Sequence, residues 1–416
     1  MLKIILTRLQ PQAEEILSEE QAGFRPGRST TEQIFNLNIL TQKYCQHQQH
    51  LYHVFIDYKK AFDRVWQDAL WATMRKYNIN PNLIKTIQCL YNSATSAMLL
   101  NGKIGNWFRT TIGVRQGCLL SPTLFNLFLE LIMMEALENH ESTVSIGGRT
   151  ITDLRFADDI DGLAGTEEEL RELIKRINET SMKFGMEIST DKTKVMTNNP
   201  QGFTQGIFIQ DKELKQVRQF KYLGAEISDG SSKAEICSRI AQANKAMGKL
   251  QYIWSSNTIT LKIKLKLIKT LINSIFIYGC ESWTLNAKLE KRIKAFEMKC
   301  FRKVLNISWR DHVTNQEVLD RINMAVDLLA SEDLLTTVKR RKLKWNGHVT
   351  RRSGISKTIL QGTVPGGRKP GRQRMAWKDN IEDWTKMKFT ESQTAAQNRD
   401  QWREISIRSA KDASTT

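Results

Sequence analysis

Leu154-Arg155-Phe156-Ala157-Asp158-Asp159 places two adjacent carboxylates at the end of a short apolar stretch. Far upstream, Val54-Phe55-Ile56-Asp57-Tyr58 does the same with a single carboxylate. Apolar runs of this length ending in acids read as strands, so both acidic groups are expected at strand ends. Carboxylates gathered there would repel by roughly 4 kcal/mol per pair at about 4 Å in an effective dielectric near 20. Divalent cations remove that repulsion, and a hard, oxygen-rich site suits Mg²⁺. Two such ions about 3.5–4 Å apart form the clamp used for in-line phosphoryl and nucleotidyl transfer. Alone, however, an Asp-Asp pair is more commonly a solvated turn.

The chain has 416 residues, room for two or three domains with cores of their own. Lys and Arg outnumber Asp and Glu by 62 to 44, a net charge of +18, which points to a polyanionic partner, most simply nucleic acid. Cys45, Cys89, Cys118, Cys237, Cys280 and Cys300 are scattered, with no Cys-x-x-Cys pair. That spacing argues against a zinc site or a disulfide scaffold and fits a reducing compartment. His47, His50 and His53 lie close together without companion ligands and read as a wet loop. The first residues are too short an apolar stretch for a secretory signal, and Leu267 to Tyr278 is interrupted by Lys269 and Asn273. The expectation is a soluble, intracellular protein with no membrane partner.

Local patterns extend outward from the acidic segments. Ile34, Leu37 and Leu40 recur at helical spacing after Ser29 or Thr30 as the cap. Leu70, Met74 and Tyr77 mark a second amphipathic stretch, and Leu83 to Tyr91 a third. Met98 to Ile112 reads as a hairpin turning at Asn101-Gly102. Ser121-Pro122 caps a long helix, with Pro at its first position. A strand pair brackets Asp158-Asp159, and a helix follows from Glu167 to Phe184. Phe220 to Gly224 is a short strand and turn, after which Lys233–Trp254 and Leu261–Tyr278 read as helices. Strands mixed with helices, then a helical block, predict an α+β domain with a helical appendage.

The last hundred residues concentrate positive charge. Lys339 to Arg374 contains twelve Lys or Arg and no Asp or Glu. Arg340, Arg341, Lys342 and Lys344 surround Trp345, and Arg368, Lys369 and Arg372 punctuate a glycine- and proline-bearing loop. Basic side chains neutralise phosphates and an aromatic ring offers a base something to stack on, so these residues are candidates for nucleic-acid contact. A solvated basic face or a nuclear import signal gives the same pattern.

Between Asp57 and the acidic doublet lies Gly113-Val114-Arg115-Gln116-Gly117-Cys118-Leu119-Leu120-Ser121-Pro122. This resembles the glycine-glutamine-glycine, serine-proline motif of reverse transcriptases. In order, Gly23-Phe24-Arg25, Asp57 with Ala61-Phe62-Asp63, the glutamine motif, Phe156-Ala157-Asp158-Asp159, Gly185 with Lys192-Thr193-Lys194, and Phe220-x-Tyr222-Leu223-Gly224 resemble the polymerase of a non-LTR (LINE-type) retrotransposon. Tyr278 to Leu285 and Leu343 to Val349 are similar to the thumb and tail of such elements, so the likeness runs along nearly the whole chain.

The resemblance implies a right-hand polymerase: partial fingers over 1–56, a palm over 57–204, a primer-grip hairpin over 205–230, a helical thumb over 231–310 and a basic nucleic-acid-binding region over 311–416. It implies an RNA-directed DNA polymerase that adds dNTPs to a DNA primer or target on an RNA template, in the nucleus. Asp57 and Asp158 would hold two Mg²⁺ ions, with Mn²⁺ a substitute, and Asp159 beside them as the weaker third acid. One ion would activate the primer 3′-hydroxyl and the other neutralise the leaving pyrophosphate. The Tyr58 carbonyl would be a further ligand, leaving its side chain unconstrained. Phe62 would exclude a ribose 2′-hydroxyl, Gln116 and Gly117 would line the nucleotide pocket, and Arg25 would grip template or phosphates. Lys192 would be the general acid for pyrophosphate, and Phe220, Tyr222, Leu223 and Gly224 the primer grip.

Two departures stand out. Ser189 stands where such polymerases usually carry Asn ahead of the lysine. The first residues also match the interior of the fingers, so Met1 reads as an internal methionine of a longer frame whose endonuclease would be supplied upstream. The alternatives are an inactive remnant that only binds nucleic acid and another Mg²⁺-dependent aspartate enzyme such as a phosphatase. The latter leaves Gln116-Gly117 and Ser121-Pro122 without a purpose.

Overall fold

Tyr52–Ile56 (β1) is buried at all five positions in the computed structural model, which describes residues 1–92, 94–228, 230–325, 332–367 and 374–415. An uninterrupted buried strand belongs in the middle of a sheet. β1 indeed has a neighbour on each side in a five-stranded sheet. Its other members are Asp153–Phe156 (β2), Asp159–Ala164 (β3), Lys194–Thr197 (β4) and Lys215–Gln216 (β5), in the spatial order β5, β4, β1, β3, β2. The pairings are antiparallel except β4 with β5. His53 lies on β1, fully buried, with Nδ1 3.2 Å from Asp161 Oδ2 on β3, so it is not part of a wet loop. The strand continues through it because Val54 and Phe55 on either face demand burial.

By contact, the chain divides into two compact units. The first comprises residues 1–33, 47–223 and 362–367; the second holds 34–46, 224–361 and the described residues from 374 onward. These limits differ from the expected functional divisions, since β1, ahead of residue 57, shares one sheet with strands that follow it.

The first unit also holds Leu2–Ile16 (α1), Gln67–Lys76 (α3), Pro81–Asn92 (α4), Ser121–Leu137 (α5) and Glu167–Lys183 (α6), the last packed on the sheet and on α5; Thr30–His47 (α2) contributes its first turn. α6 buries Leu170, Leu173, Ile174 and Ile177, the expected stripe. Thr166 caps it by accepting from the Glu169 N–H, and Glu167, Glu168 and Glu169 in the first turn suit the positive helix end. α5 is apolar on almost every face, and its core residues Leu124, Phe125, Leu127 and Phe128 are wholly buried. Ser121 does not cap it; its hydroxyl donates to the Arg115 carbonyl, and Leu120 takes the cap position. Asn101-Gly102 turns the hairpin Leu99–Leu100 to Lys103–Ile104 with both residues at positive φ, as expected of that dipeptide.

In the second unit the helix expected over 261–278 is broken into Leu261–Leu267, a π-helical turn Ile268–Ile272 and Asn273–Phe276. Leu334–Arg351 packs on Ala287–Val304 and Arg399–Thr415. Here Glu297 is buried and accepts from the Leu334 N–H at 2.8 Å. Burial, aided by Asp333, raises its carboxyl from 4.5 to about 7. A carboxyl harder to ionise folded than unfolded costs nothing at low pH; the cost grows as pH rises from 4.5 to 7, reaching at most about 3 kcal/mol. Glu297→Gln keeps the acceptor and removes the charge. Thermal melts are expected to match wild type near pH 4.5 and to exceed it above pH 7.

Candidate active site

Ile56 pairs with Ile160, and Phe156 with Asp159, so the ends of β1, β2 and β3 meet at one edge of the sheet. The β1–β3 register runs out at Ile56–Ile160, so Asp57 directly follows β1 and Asp159 opens β3 at the same end of the sheet. Ala157-Asp158 is the two-residue connection between β2 and β3. Ala157 has φ +57, a left-handed conformation that usually selects Gly at a tight hairpin, and it is buried. Strain of this kind is held only where the surroundings over-determine it.

The electrostatics follow from the convergence. Burial is the main force raising the Asp158 carboxyl, with Asp57 adding to it and Lys192 opposing. Asp159 is raised from 3.8 to about 6, first by burial and then by Asp158 and Asp57. Lys192 Nζ lies 3.1 Å from Asp57 Oδ1. Main-chain bonds hold that lysine's loop in place: the Ser189 N–H donates to the Asp57 carbonyl at 2.7 Å and the Thr193 N–H to the Ser189 carbonyl at 2.8 Å. Ser189 thus ties the loop to Asp57 through its backbone, a link that needs no Asn side chain there.

Among the described residues no group of three or more His, Cys, Asp or Glu side chains is drawn together closely enough to hold a metal ion as it lies. The donor set nonetheless fits a divalent cation in its chemistry. Its carboxylate oxygens are hard, desolvation and neighbouring carboxylates make two of the acids resist ionisation, and an ammonium stands against the third.

Around this edge, Phe62 stacks on Phe125 with centroids 4.6 Å apart and meets Phe24 edge-on at 6.3 Å. The Val114 N–H donates to the Phe62 carbonyl, so the glutamine loop and the Phe62 turn are stitched together. Gln116 Nε2 donates to Asp63 Oδ1 at 3.1 Å. Gly117 has φ +79 and open space where a Cβ would stand, so within the chain it is its torsion that demands glycine.

Residues 1–227 match the sequence profile of the family described as "Reverse transcriptase (RNA-dependent DNA polymerase)". That is over half of the chain. The chain belongs to this family. It is 28% identical to a putative uncharacterized transposon-derived protein of Caenorhabditis elegans, over 57% of this chain and 86% of that protein. It is 21% identical to the RNA-directed DNA polymerase from the mobile element jockey of Drosophila melanogaster, over 84% of this chain and 42% of that one. The chain therefore spans less than half the length of that relative. Against the solved apo telomerase from Candida tropicalis the TM-score is 0.43 at 13% identity, over 88% of this chain and 62% of that one. Several of the homologues are RNA-directed DNA polymerases of retrotransposons, and reverse transcriptases as a family are nucleotidyltransferases that use divalent metal ions. No helix among the described residues is long and apolar enough to cross a membrane.

Several expected site residues of this reverse transcriptase are placed elsewhere in the structure. Arg25 does not face an open groove: its side chain is 7% exposed, ion-paired with Glu14 and donating to the Ser18 and Gln21 carbonyls. Tyr58 is not unconstrained, because its ring is buried and its hydroxyl lies 2.8 Å from that of Ser181; burial pushes the phenol to about 12. Tyr222 is buried, with its hydroxyl donating to the Leu154 carbonyl, and Phe220 stacks on Phe55 at 4.2 Å. The Tyr222 ring is thus enclosed while Phe220 is half-buried, and Leu223 and Gly224 form the turn that follows, at positive φ.

In the second unit Lys342 is fully buried, donating to the Trp283 carbonyl and Asn380 Oδ1 with its ammonium over Trp377 and Trp384. It is a core residue and cannot reach a phosphate. Arg340 pairs with Glu332 and Arg341 with Glu281, both side chains nearly half exposed. Trp345 packs edge-on against Phe35 and beside His348. Lys344 is exposed. Arg368, Lys369 and Arg372 lie outside the described residues.

The contacts also bring forward residues to which no role was assigned from sequence. Gln21, fully buried, accepts from the Ala157 and Gly23 N–H groups, each at 2.8 Å, and donates to the Ala157 carbonyl at 3.2 Å. Gly23 lies so close to the turn that a Cβ would stand 2.2 Å from the Ala157 nitrogen. Phe24, half exposed at φ +55, bridges Phe62 and Phe156. Only the adjacency of Gly23-Phe24 to the Arg25 motif signals these roles in the sequence; Gln21 carries no local signal.

Proposed function

We propose that the chain carries the polymerase of a non-LTR retrotransposon and extends a DNA 3′-end on an RNA template. The observation that carries this reading is the register that brings Asp57, Asp158 and Asp159 to one sheet edge. Asp57, Asp158, Asp159 and the Tyr58 carbonyl would hold two Mg²⁺ ions, which when bound supply activation of the attacking hydroxyl and neutralisation of the departing charge. The chain's own residues orient the reactants. Phe62, backed by Phe125, is a rigid wall against a ribose 2′-hydroxyl, and Gln116, steadied by Asp63, borders the nucleotide. Gly117 leaves its open side to the nucleotide's approach. Lys192, its ammonium 3.1 Å from Asp57, would deliver a proton to the leaving pyrophosphate.

The expected division into fingers (1–56), palm (57–204), primer-grip hairpin (205–230), thumb (231–310) and basic tail (311–416) belongs to this proposal. So do dNTP substrates, an RNA template with a DNA primer or target, and a nuclear site of action. Within the tail, the exposed Lys344 is the best-placed phosphate contact of the first basic cluster.

Primer extension on an RNA template, in Mg²⁺ and in Mn²⁺, tests the reading against Asp158→Ala. Wild type is expected to incorporate dNTPs and the variant to lose at least about 1,000-fold, some 4 kcal/mol of barrier. Equal incorporation by both, or none by either, overturns it. Salt-sensitive RNA binding without incorporation would mark a binding module instead.

A further inference from the structure

The side chain of Gln21 holds both polar groups of one peptide residue, the Ala157 N–H and C=O, immediately before Asp158. It is fully buried, and the same Oε1 also accepts from the Gly23 N–H. Asn126, itself buried on α5, donates to the Gly23 carbonyl at 2.7 Å and so pins the segment from the other side. The segment runs alongside β2: the Ala22 N–H donates to the Arg155 carbonyl and the Arg155 N–H to that of Glu20. A main-chain rail therefore sets the height of Gln21, and its amide then locks the turn.

We propose that Gln21 is a positioning residue of the polymerase site: it fixes the left-handed Ala157 and thereby the direction in which Asp158 presents its carboxylate. This rests on the polymerase reading of the acidic edge. The physical requirement explains why the residue is a glutamine. Holding an N–H and a C=O of the same residue takes an acceptor and a donor at one end of a side chain, which an amide offers without charge on two separate, coplanar atoms. Without it, Ala157 would relax from its unfavourable torsion, since a non-glycine residue stays in the left-handed region only under compulsion. Asn126, Gly23 and Gln21 thus form a chain of contacts whose last member touches the catalytic turn rather than substrate.

Two readouts on the full chain test this. The first is hydrogen exchange of the Ala157 amide, which needs no catalysis. The second is the single-turnover rate of RNA-templated incorporation at saturating dNTP, together with primer–template affinity. In Gln21→Leu the Ala157 amide is expected to exchange about 100-fold faster while amides of β1 and β4 keep their protection. Its rate should fall about 10- to 100-fold, the cost of misplacing a reacting group by an ångström or less, with primer–template affinity unchanged. Gln21→Glu keeps the acceptor and loses the donor, so it should retain most of the amide protection and an intermediate rate. Thr73→Val, equally buried but on α3, should change neither.

Wild-type exchange at Ala157 in the leucine variant overturns the assignment. So does a rate loss accompanied by uniform loss of protection, which marks a merely structural residue. Should the leucine variant not fold, an undiminished rate in Gln21→Glu overturns it. If wild type copies no RNA, the polymerase reading fails on its own, while the Ala157 exchange rates still decide the clamp.

Discussion

Asp57→Asn is expected to reduce RNA-templated incorporation by at least about 1,000-fold, more than 4 kcal/mol of barrier, without loss of folded protein. The two halves of this expectation have different causes. For activity, the amide keeps the volume of the carboxylate but halves its acceptor oxygens and removes its charge, which is what a divalent cation would need. For stability, the changes offset one another. Lys192 loses its ion pair, but that pair is exposed, with side chains at 68% and 35%, and such pairs contribute about 1 kcal/mol or less. Asp158 and Asp159 meanwhile lose a repelling neighbour. The backbone bonds of residue 57 to Ser189 and Thr193 do not involve its side chain. A thermal melt should therefore move by no more than about 2 °C.

A pH dependence goes with it. Folding raises the Asp159 carboxyl from 3.8 to about 6, so the wild-type protein is free of this penalty at pH below 3.8 and loses some stability as pH climbs to 6, an amount that solvent screening keeps small because the residue is exposed. Asp57→Asn should shrink that loss without abolishing it, because burial is the larger cause. Melts between pH 4 and 7 check the difference. A variant that melts well below wild type at pH 7 would show Asp57 to be a structural anchor instead.

What the sequence made legible depended on whether the deciding physics was local. The hairpin at Asn101-Gly102 was readable because two positive φ angles need those residue types. The helix after Thr166 was readable because its cap, acidic first turn and apolar stripe agree. The strand pair around Asp158-Asp159 was readable from its apolar flanks. Lys342 was misread as surface because a run of basic residues looks alike whichever way the helix turns. The phase was nevertheless present: Leu335, Lys339, Lys342, Leu343, Asn346 and Thr350 fall on one face, and all are buried. Arg340, Arg341 and Lys344 fall on the other. His53 was not legible because it depends on Asp161, 108 positions away, and Arg25 because the loop between it and Glu14 carries no regular period to show that the two meet. Gln21 belongs to the same class, its partners being main-chain atoms of a residue 136 positions away.

Gly23→Ala tests that long-range approach most severely. The added Cβ would stand 2.2 Å from the Ala157 nitrogen and 2.9 Å from both the Ala157 Cα and the Phe156 carbonyl carbon. These are main-chain atoms, so no flexible side chain can swing aside, and Gly23 is not among the residues at positive φ. The demand for glycine here is one of space. Neither partner yields easily: Gly23 is tied by its N–H to Gln21 and by its carbonyl to Asn126, while Ala157 is tied to Gln21 at both ends. Overpacking of a well-filled interior costs about 1–3 kcal/mol, which lowers the melting temperature by several degrees. Because the displaced atoms carry Asp158, incorporation should fall by about 100-fold or more. Gly248→Ala is the counterpart: it lies in the helix Lys233–Lys249 with nothing within 4 Å of its would-be Cβ, so it should be neutral or stabilise by up to about 1 kcal/mol. Primer extension and melting of the two variants side by side decide the matter. Full activity in Gly23→Ala would mean the turn bearing Asp158 takes its geometry from the sheet alone, and that the segment before Phe24 merely rests against it.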